Sequence, residues 1–319
     1  MKKVFITRKL PGEPEQLIKA EGFSVKVYRE DRAIPRDLLI RHAKDADALI
    51  PMISEKIDKE IIDELQKCKI IANCAVGFNN IDVEYARQKN IIVTNTPDIL
   101  TDATAVIAVG LIIAAARRFY EAENLIRSQK FEGFKPKLLL GIEMKGKTAG
   151  IIGAGRIGFA TAKRLKAFGT KIIYFSRRKN RQFEDEHQAK RVSLNSLLEL
   201  SDFISIHLSL SKETFHILNE KNLPKMKRTA VIVNTSRGEV IDEKVLRKLL
   251  KQKKIFSAGL DVFENEPNVN PEFFKLDNVF MLPHIGSATL EARSSMAELC
   301  AKNVINVLNN LPPITPVNF

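Results

Sequence analysis

The hexapeptide Gly153-Ala154-Gly155-Arg156-Ile157-Gly158, set between the apolar run Ala149–Ile152 and an amphipathic stretch, constrains this chain more than any other segment. A GxGxxG pattern alone is weak, but between a strand and a helix it marks a dinucleotide-binding turn. Gly153 permits the tight turn, Gly155 lets the backbone approach a pyrophosphate, and Gly158 lets the helix pack closely. The helix that opens with Arg156 and Ile157 presents unpaired N–H groups and the positive end of its dipole to that pyrophosphate. The competing reading is a plain structural turn.

The surrounding pattern favours the first reading. Strands are expected at Thr148–Ile152, Lys171–Phe175, Phe203–His207, Ala230–Asn234, Ser257–Leu260 and Val279–Leu282, with helices at Arg156–Phe168, Leu194–Leu200 and Asp242–Lys251. The first hundred residues alternate in the same way. Lys3–Thr7, Ser24–Tyr28, Ala48–Ile50, Ile70–Ala75 and Ile91–Thr94 read as strands, and Glu13–Ala20, Asp37–His42, Asp58–Gln66 and Val83–Gln88 as helices. Two such series predict two α/β domains, each a mostly parallel sheet covered by helices. Between them the apolar stretch from Thr101 to Gln129 calls for burial on most sides, expected at a domain junction or subunit interface. A last helix is expected at Leu290–Leu308.

The 319 residues suit about two domains. No stretch approaches the ~18 uncharged apolar residues of a membrane span, and the apolar run in MKKVFIT stops too soon for a signal-peptide core. Cys68, Cys74 and Cys300 have no metal or redox spacing, which points to a reducing, cytoplasmic compartment, and the five histidines show no paired metal-ligand spacing. The excess of 51 Lys+Arg over 38 Asp+Glu is scattered, without interleaved aromatics or a DNA-reading motif. It reads as a basic surface that attracts small anions rather than a nucleic-acid interface.

Parallel sheets bind ligands at the carboxyl ends of their strands. In the second series those ends carry Thr235-Ser236-Arg237-Gly238, then Asp261-Val262-Phe263-Glu264-Asn265-Glu266, then Pro283-His284. Singly, Arg237 reads as a surface ion pair, Glu266 as a loop acid and His284 as a turn residue. Jointly, a guanidinium, a carboxylate and an imidazole beside a dinucleotide turn form a dehydrogenase constellation. Where an NAD site carries an acid about 20 residues beyond the glycines, this chain has Ser176-Arg177-Arg178-Lys179. Hydroxyl and guanidinium groups there suit a 2′-phosphate, so NADP(H) is expected ahead of NAD(H).

The order GAGRIG, NTSRGEVID, GLDVFENEP, PHIGSAT, with AVGFNNID and TNTPDILTDATA earlier, resembles the D-isomer-specific 2-hydroxyacid dehydrogenases, nearest the glyoxylate/hydroxypyruvate reductase branch. The resemblance implies two Rossmann-like or flavodoxin-like domains with a cleft between them. The substrate domain would comprise residues 1–98 and 288–319, and the dinucleotide domain residues 99–287. It implies reduction of a small 2-oxo acid, with Arg237 on the substrate carboxylate, His284 as acid/base and Glu266 as the partner that fixes its ring. It points the Val76 and Gly77 N–H groups at the carboxylate, sets Met52 at the pocket wall, puts Thr235 among the cofactor contacts and turns Asp261 to the nicotinamide carboxamide. It also implies a homodimer joined through the Thr101–Gln129 region.

Two departures stand out. The branch often carries Trp where Gly133-Phe134-Lys135-Pro136 lies, and Pro is common in place of Ser209 in His207-Leu208-Ser209-Leu210. Glu266 disfavours the formate dehydrogenases, which have Gln there. The absence of a long regulatory domain after Phe319 disfavours a regulated phosphoglycerate dehydrogenase. D-lactate dehydrogenase and a dinucleotide-sensing transcriptional co-repressor are the remaining alternatives.

Overall fold

The computed structural model describes residues 1–317. Along the chain come β1 (Lys3–Ile6), α1 (Pro14–Ala20), β2 (Ser24–Val27), α2 (Arg36–Ala43), β3 (Ala48–Ile50), α3 (Lys59–Glu64), β4 (Ile70–Ala72), α4 (Val83–Gln88) and β5 (Ile92–Thr94). Next are α5 (Thr101–Ala116), α6 (Phe119–Arg127), β6 (Thr148–Ile152), α7 (Arg156–Ala167), β7 (Lys171–Phe175), α8 (Arg181–His187), β8 (Lys190–Arg191), α9 (Leu194–Leu200) and β9 (Phe203–Ile206). The last are β10 (Val231–Asn234), α10 (Glu243–Lys251), β11 (Ser257–Leu260), β12 (Val279–Met281) and α11 (Leu290–Leu308). They form two compact units, one of Met1–Leu100 with the chain from Ser287 onward, the other of Thr101–Gly286.

The first unit holds a five-stranded sheet in the order β2-β1-β3-β4-β5, and every pairing is parallel. Side chains alternate across it. Ile71 and Val93 pack with Leu39, Ile61 and Ile62 on one face, and Ile70 and Ala72 with Ile18, Val304 and Leu308 on the other. The order reverses between β1 and β3, so the loops after Ile6 and Ile50 diverge at the carboxyl edge and open a crevice there. The strand expected to run to Ala75 stops at Ala72. The buried Asn73 turns the chain by donating from Nδ2 to the Gly77 carbonyl at 2.9 Å.

The second unit holds a seven-stranded parallel sheet in the order β12-β11-β10-β9-β6-β7-β8, which reverses between β6 and β9. Both sheets thus have the doubly wound topology of flavodoxin-like and Rossmann folds. The expected long helical region is two helices. Arg118 takes left-handed backbone at φ 58°, and α6 leaves α5 at 65°. The Arg118 guanidinium then holds Glu121 in the first turn of α6 through two hydrogen bonds of 2.6 and 2.8 Å. Burial of α5 comes from its own unit: Leu111, Ile112, Ala115 and Ala116 pack against Ile151, Leu165 and Val233. Among the described residues no single helix is long and apolar enough to cross a membrane.

Candidate active site

The dinucleotide turn stands at the reversal of the second sheet. Gly153 N donates to the Phe175 carbonyl at 2.9 Å and His207 N to the Ile152 carbonyl at 2.7 Å, which pins the turn between β7 and β9. Gly153 has φ 102°, and a Cβ there would strike the His207 carbonyl. A Cβ on Gly158 would strike the Gly153 carbonyl, so these two glycines set how tightly α7 closes on β6. At Gly155, by contrast, a Cβ would meet open space.

Side chains cap α3, α4, α8, α9, α10 and α11 through Asp58, Asp82, Asn180, Ser193, Asp242 and Thr289. Helices α1, α2, α6 and α7 have no side-chain cap, and of these α7 starts from the glycine turn, with Gly155 at its N-cap and its first residues Arg156 and Ile157 beside the open space. Its first N–H groups therefore suit an anion. At the carboxyl end of β10, the Thr235 hydroxyl oxygen is buried without a hydrogen-bond partner. An orphaned buried oxygen carries a desolvation penalty that a ligand donor or acceptor would relieve. Open space, an uncapped helix start and an orphaned hydroxyl together fit a nicotinamide dinucleotide.

Ser176, Arg177 and Arg178 follow β7, the two arginines exposed. The Ser176 hydroxyl donates to the Arg178 carbonyl, which curls the loop. Sequence reading missed the residue that straps it. Arg191 on β8 donates from Nε to the Ser176 carbonyl at 3.0 Å and from Nη2 to the Arg177 carbonyl at 2.8 Å. Only the pairing of β8 with β7 brings them together, and a two-residue strand leaves no periodic signal. Asn180 caps α8 and donates from Nδ2 to the Ala154 carbonyl at 3.0 Å, tying this loop to the glycine turn.

Arg237, Glu266 and His284 follow β10, β11 and β12, three adjacent strands of one parallel edge. His284 Nδ1 and Glu266 Oε2 lie 2.7 Å apart, each side chain 34% exposed. Glu266 Oε1 accepts from the Phe263 N–H at 3.0 Å. Burial acts to raise the Glu266 pKa, but the His284 bond and charge, the Phe263 N–H and the Arg237 charge outweigh it and hold the carboxyl below the usual range. Burial lowers the Arg237 pKa, opposed by the charges of Glu266 and Glu239. The guanidinium, carboxylate and imidazole therefore share one electrostatic neighbourhood.

Local backbone explains the convergence. A Cβ on Gly238 would collide with the Phe263–Glu264 peptide, so glycine after Arg237 lets its loop lie against the Glu266 loop. Asn234 Nδ2 donates to the Arg237 carbonyl at 2.8 Å. His284 is in left-handed backbone at φ 53°, as is Asn265 at φ 59° just before Glu266. Such positions in non-glycine residues are sparsely populated and persist where surrounding bonds impose them. The bonds imposing His284 come from Asp261, 1% exposed. Its carbonyl accepts from His284 N at 2.9 Å, and its carboxylate from Ile285 N and Gly286 N at 2.7 Å each.

A second acid lies behind the Glu266 loop. Glu243 Oε1 accepts from Glu264 N at 2.7 Å, and Glu264 Oε1 lies 2.6 Å from His216 Nε2. Burial pushes the Glu243 carboxyl up to about 7, with the neighbouring Glu264 and Glu239 charges adding to the rise. Helix periodicity marked α10 but gave no reason to single Glu243 out.

In the first unit, Met52, Val76 and Gly77 lie at the carboxyl edge. Their carbonyls are tied back by Asn80, Asn95 and Asn73 at 3.2, 2.8 and 2.9 Å. Met52 N donates to Glu55 Oε2 at 2.5 Å, and this buried carboxylate also accepts from Thr7 and Ser54.

A dinucleotide turn and an imidazole–carboxylate pair on one sheet edge define a class, the nicotinamide-dinucleotide-dependent oxidoreductases. Comparison with known proteins narrows it. Residues 109–286 match the family model described as D-isomer specific 2-hydroxyacid dehydrogenase, NAD binding domain. Over 320 residues the chain is 48% identical to a glyoxylate reductase of Thermococcus litoralis, covering 99% of this chain and 96% of that one. A solved glyoxylate reductase from Paecilomyes thermophila superposes with a TM-score of 0.89 at 34% identity, covering 99% of this chain and 98% of that one. The NADPH-dependent glyoxylate/hydroxypyruvate reductase of Sinorhizobium meliloti, solved with NADP and malonate, gives 0.86 at 29% identity, covering 99% and 96%. The chain belongs to the D-isomer specific 2-hydroxyacid dehydrogenase family, in its glyoxylate reductase branch.

Proposed function

We propose that this protein reduces a small 2-oxo acid, glyoxylate or hydroxypyruvate, to the 2-hydroxy acid, using NADPH in preference to NADH. The observation that carries the reading is the 2.7 Å bond of His284 Nδ1 to Glu266 on the same sheet edge as Arg237. The substrate class rests on the relatives, named glyoxylate reductase and glyoxylate/hydroxypyruvate reductase.

A nicotinamide dinucleotide held at the Gly153–Gly158 turn would supply a hydride to the substrate carbonyl carbon. Negative charge then grows on the carbonyl oxygen, and His284 answers it by giving up the proton on Nε2. Glu266, bonded to Nδ1, fixes the ring so that Nε2 is the nitrogen left for substrate, and balances the charged imidazolium. Arg237 binds the substrate carboxylate through its planar fork. Val76 and Gly77 N–H groups add donors to that carboxylate, and Met52 limits the size of the group beyond the carbonyl. Asp261 holds His284 in its left-handed backbone; a nicotinamide carboxamide would have to share the oxygens that already accept from Ile285 and Gly286.

The preference for NADPH rests on Ser176, Arg177 and Arg178 in the loop that Arg191 straps. A steady-state panel of glyoxylate, hydroxypyruvate and pyruvate with each cofactor tests both parts. One charge-assisted bond to a 2′-phosphate contributes ~1.5–3 kcal/mol, so kcat/KM with NADPH should exceed that with NADH by about tenfold or more. Equal values overturn the cofactor preference, and absence of turnover on all three acids overturns the substrate reading.

We also propose a homodimer. Phe119, Ile126, Phe131, Phe134 and Leu140 are exposed along α6 and the segment after it, Phe134 to 90%. A run of large apolar side chains on one segment marks an association surface. Light scattering should return twice the 36.0 kDa chain mass, and a monomer mass at micromolar concentration overturns the dimer.

A further inference from the structure

We infer that Cys74 and Cys300 form a redox-sensitive thiol pair that closes to a disulfide under peroxide and displaces the loop carrying Val76 and Gly77. The two residues stand far apart in the chain, yet α11 packs on β4 and both side chains belong to one apolar cluster with Ile70, Ala72 and Val304. Cys300 belongs to that cluster and Cys74 packs against it, which brings the two thiols into one neighbourhood.

The two have unequal access. Cys300 is 1% exposed, whereas Cys74 is half-buried. The neighbouring Cys74, added to burial, pushes the Cys300 thiol well above its usual range, so Cys300 does not compete with Cys74 for the oxidant and loses its proton only to the departing hydroxyl in the second step. Cys74 is thus the sulfur that an oxidant reaches, and Cys300 the one positioned to resolve it. Cys68 is a control supplied by the fold. It lies in the cluster on the other face of the sheet, donates to the Ile70 carbonyl at 3.1 Å, and burial pushes its thiol up to about 12.

The chemistry balances with a peroxide as oxidant. The Cys74 thiolate attacks one peroxide oxygen; the S–O bond forms, the O–O bond breaks, and hydroxide leaves to become water. The Cys300 sulfur then attacks the Cys74 sulfur; the S–S bond forms, the S–O bond breaks, and water departs with the Cys300 proton. Two thiols lose two electrons and one peroxide gains them.

The consequence for activity rests on the carboxylate role proposed for Val76 and Gly77. Cys74 N is bonded to the Pro51 carbonyl at 3.0 Å, and Thr96 N to the Ala75 carbonyl at 3.0 Å. Drawing the Cys74 side chain towards α11 to S–S bonding distance works against this bracing two residues before Val76.

The test treats the full chain with hydrogen peroxide, then with dithiothreitol. Free thiols counted after unfolding should fall from three to one, with a mass loss of about 2 Da located to a Cys74–Cys300 cross-linked peptide. KM for glyoxylate should rise about tenfold or more and recover on reduction. Cys300→Ala should keep the untreated activity and lose the cross-link. Oxidation of Cys74 without a cross-link, or reaction of Cys68 first, overturns the pair. A cross-link that leaves KM unmoved keeps the disulfide but overturns its action on the loop, and with it the carboxylate role of Val76 and Gly77.

Discussion

Arg237→Ala is expected to lower kcat/KM for glyoxylate by ~10³-fold, because two charge-assisted bonds to a carboxylate at ~1.5–3 kcal/mol each are lost together. NADPH affinity should fall far less than substrate binding, since the pyrophosphate turn at Gly153–Gly158 lies on β6 and α7 and Arg237 itself is assigned to the substrate carboxylate. Cofactor fluorescence titration of the variant separates lost substrate binding from lost folding. Arg237→Lys should recover only a small part, because an ammonium lacks the fork that matches a carboxylate. An alanine variant with unchanged kcat/KM would mean that another group holds the substrate.

His284→Ala is expected to reduce kcat in both directions by ~10²–10⁴-fold, the usual contribution of a positioned general acid. Its partner adds a pH signature. The Glu266 carboxyl lies below its ordinary range, so the carboxylate's support of the imidazole is fully present above ~4.5 and is lost as pH falls through the lower folded value. Wild-type kcat should keep the support of this pair down to that limit. Glu266→Gln should lower kcat at neutral pH and abolish the acid-side loss that comes from protonating the carboxyl. A His284→Ala enzyme that keeps its rate would assign the proton transfer to another group.

These expectations test a site most of whose parts were visible without coordinates. Arg237, Glu266 and His284 each follow an apolar run, and a parallel sheet of seven strands carries all three runs to one edge. What escaped was whatever depends on contact across the sheet. Arg191 straps the Ser176–Arg177 loop only because the short β8 pairs with β7. Asp261 was singled out, but not for its bonds to the His284 backbone. Glu55 and Glu243 are acids in polar-looking stretches, and burial makes them exceptional.

Helix and strand type followed from periodicity, since α7, β6, β7 and α11 each carry a whole hydrophobic period within one segment. Breaks did not. The bend at Arg118 is a single left-handed residue where an apolar stretch gives way to a more polar one, and that change in polarity alone does not say that the helix breaks there. Sequence by itself determined the alternation and set a glycine turn and three candidate chemical groups at the ends of apolar runs, because local spacing and side-chain chemistry are written residue by residue. Tertiary structure alone decided that His284 meets Glu266 at 2.7 Å, that Asp261 imposes the imidazole's backbone, and that Cys74 and Cys300 share one apolar cluster. Those contacts join residues from separate strands and helices, and only the packing of the sheets sets the distance between them.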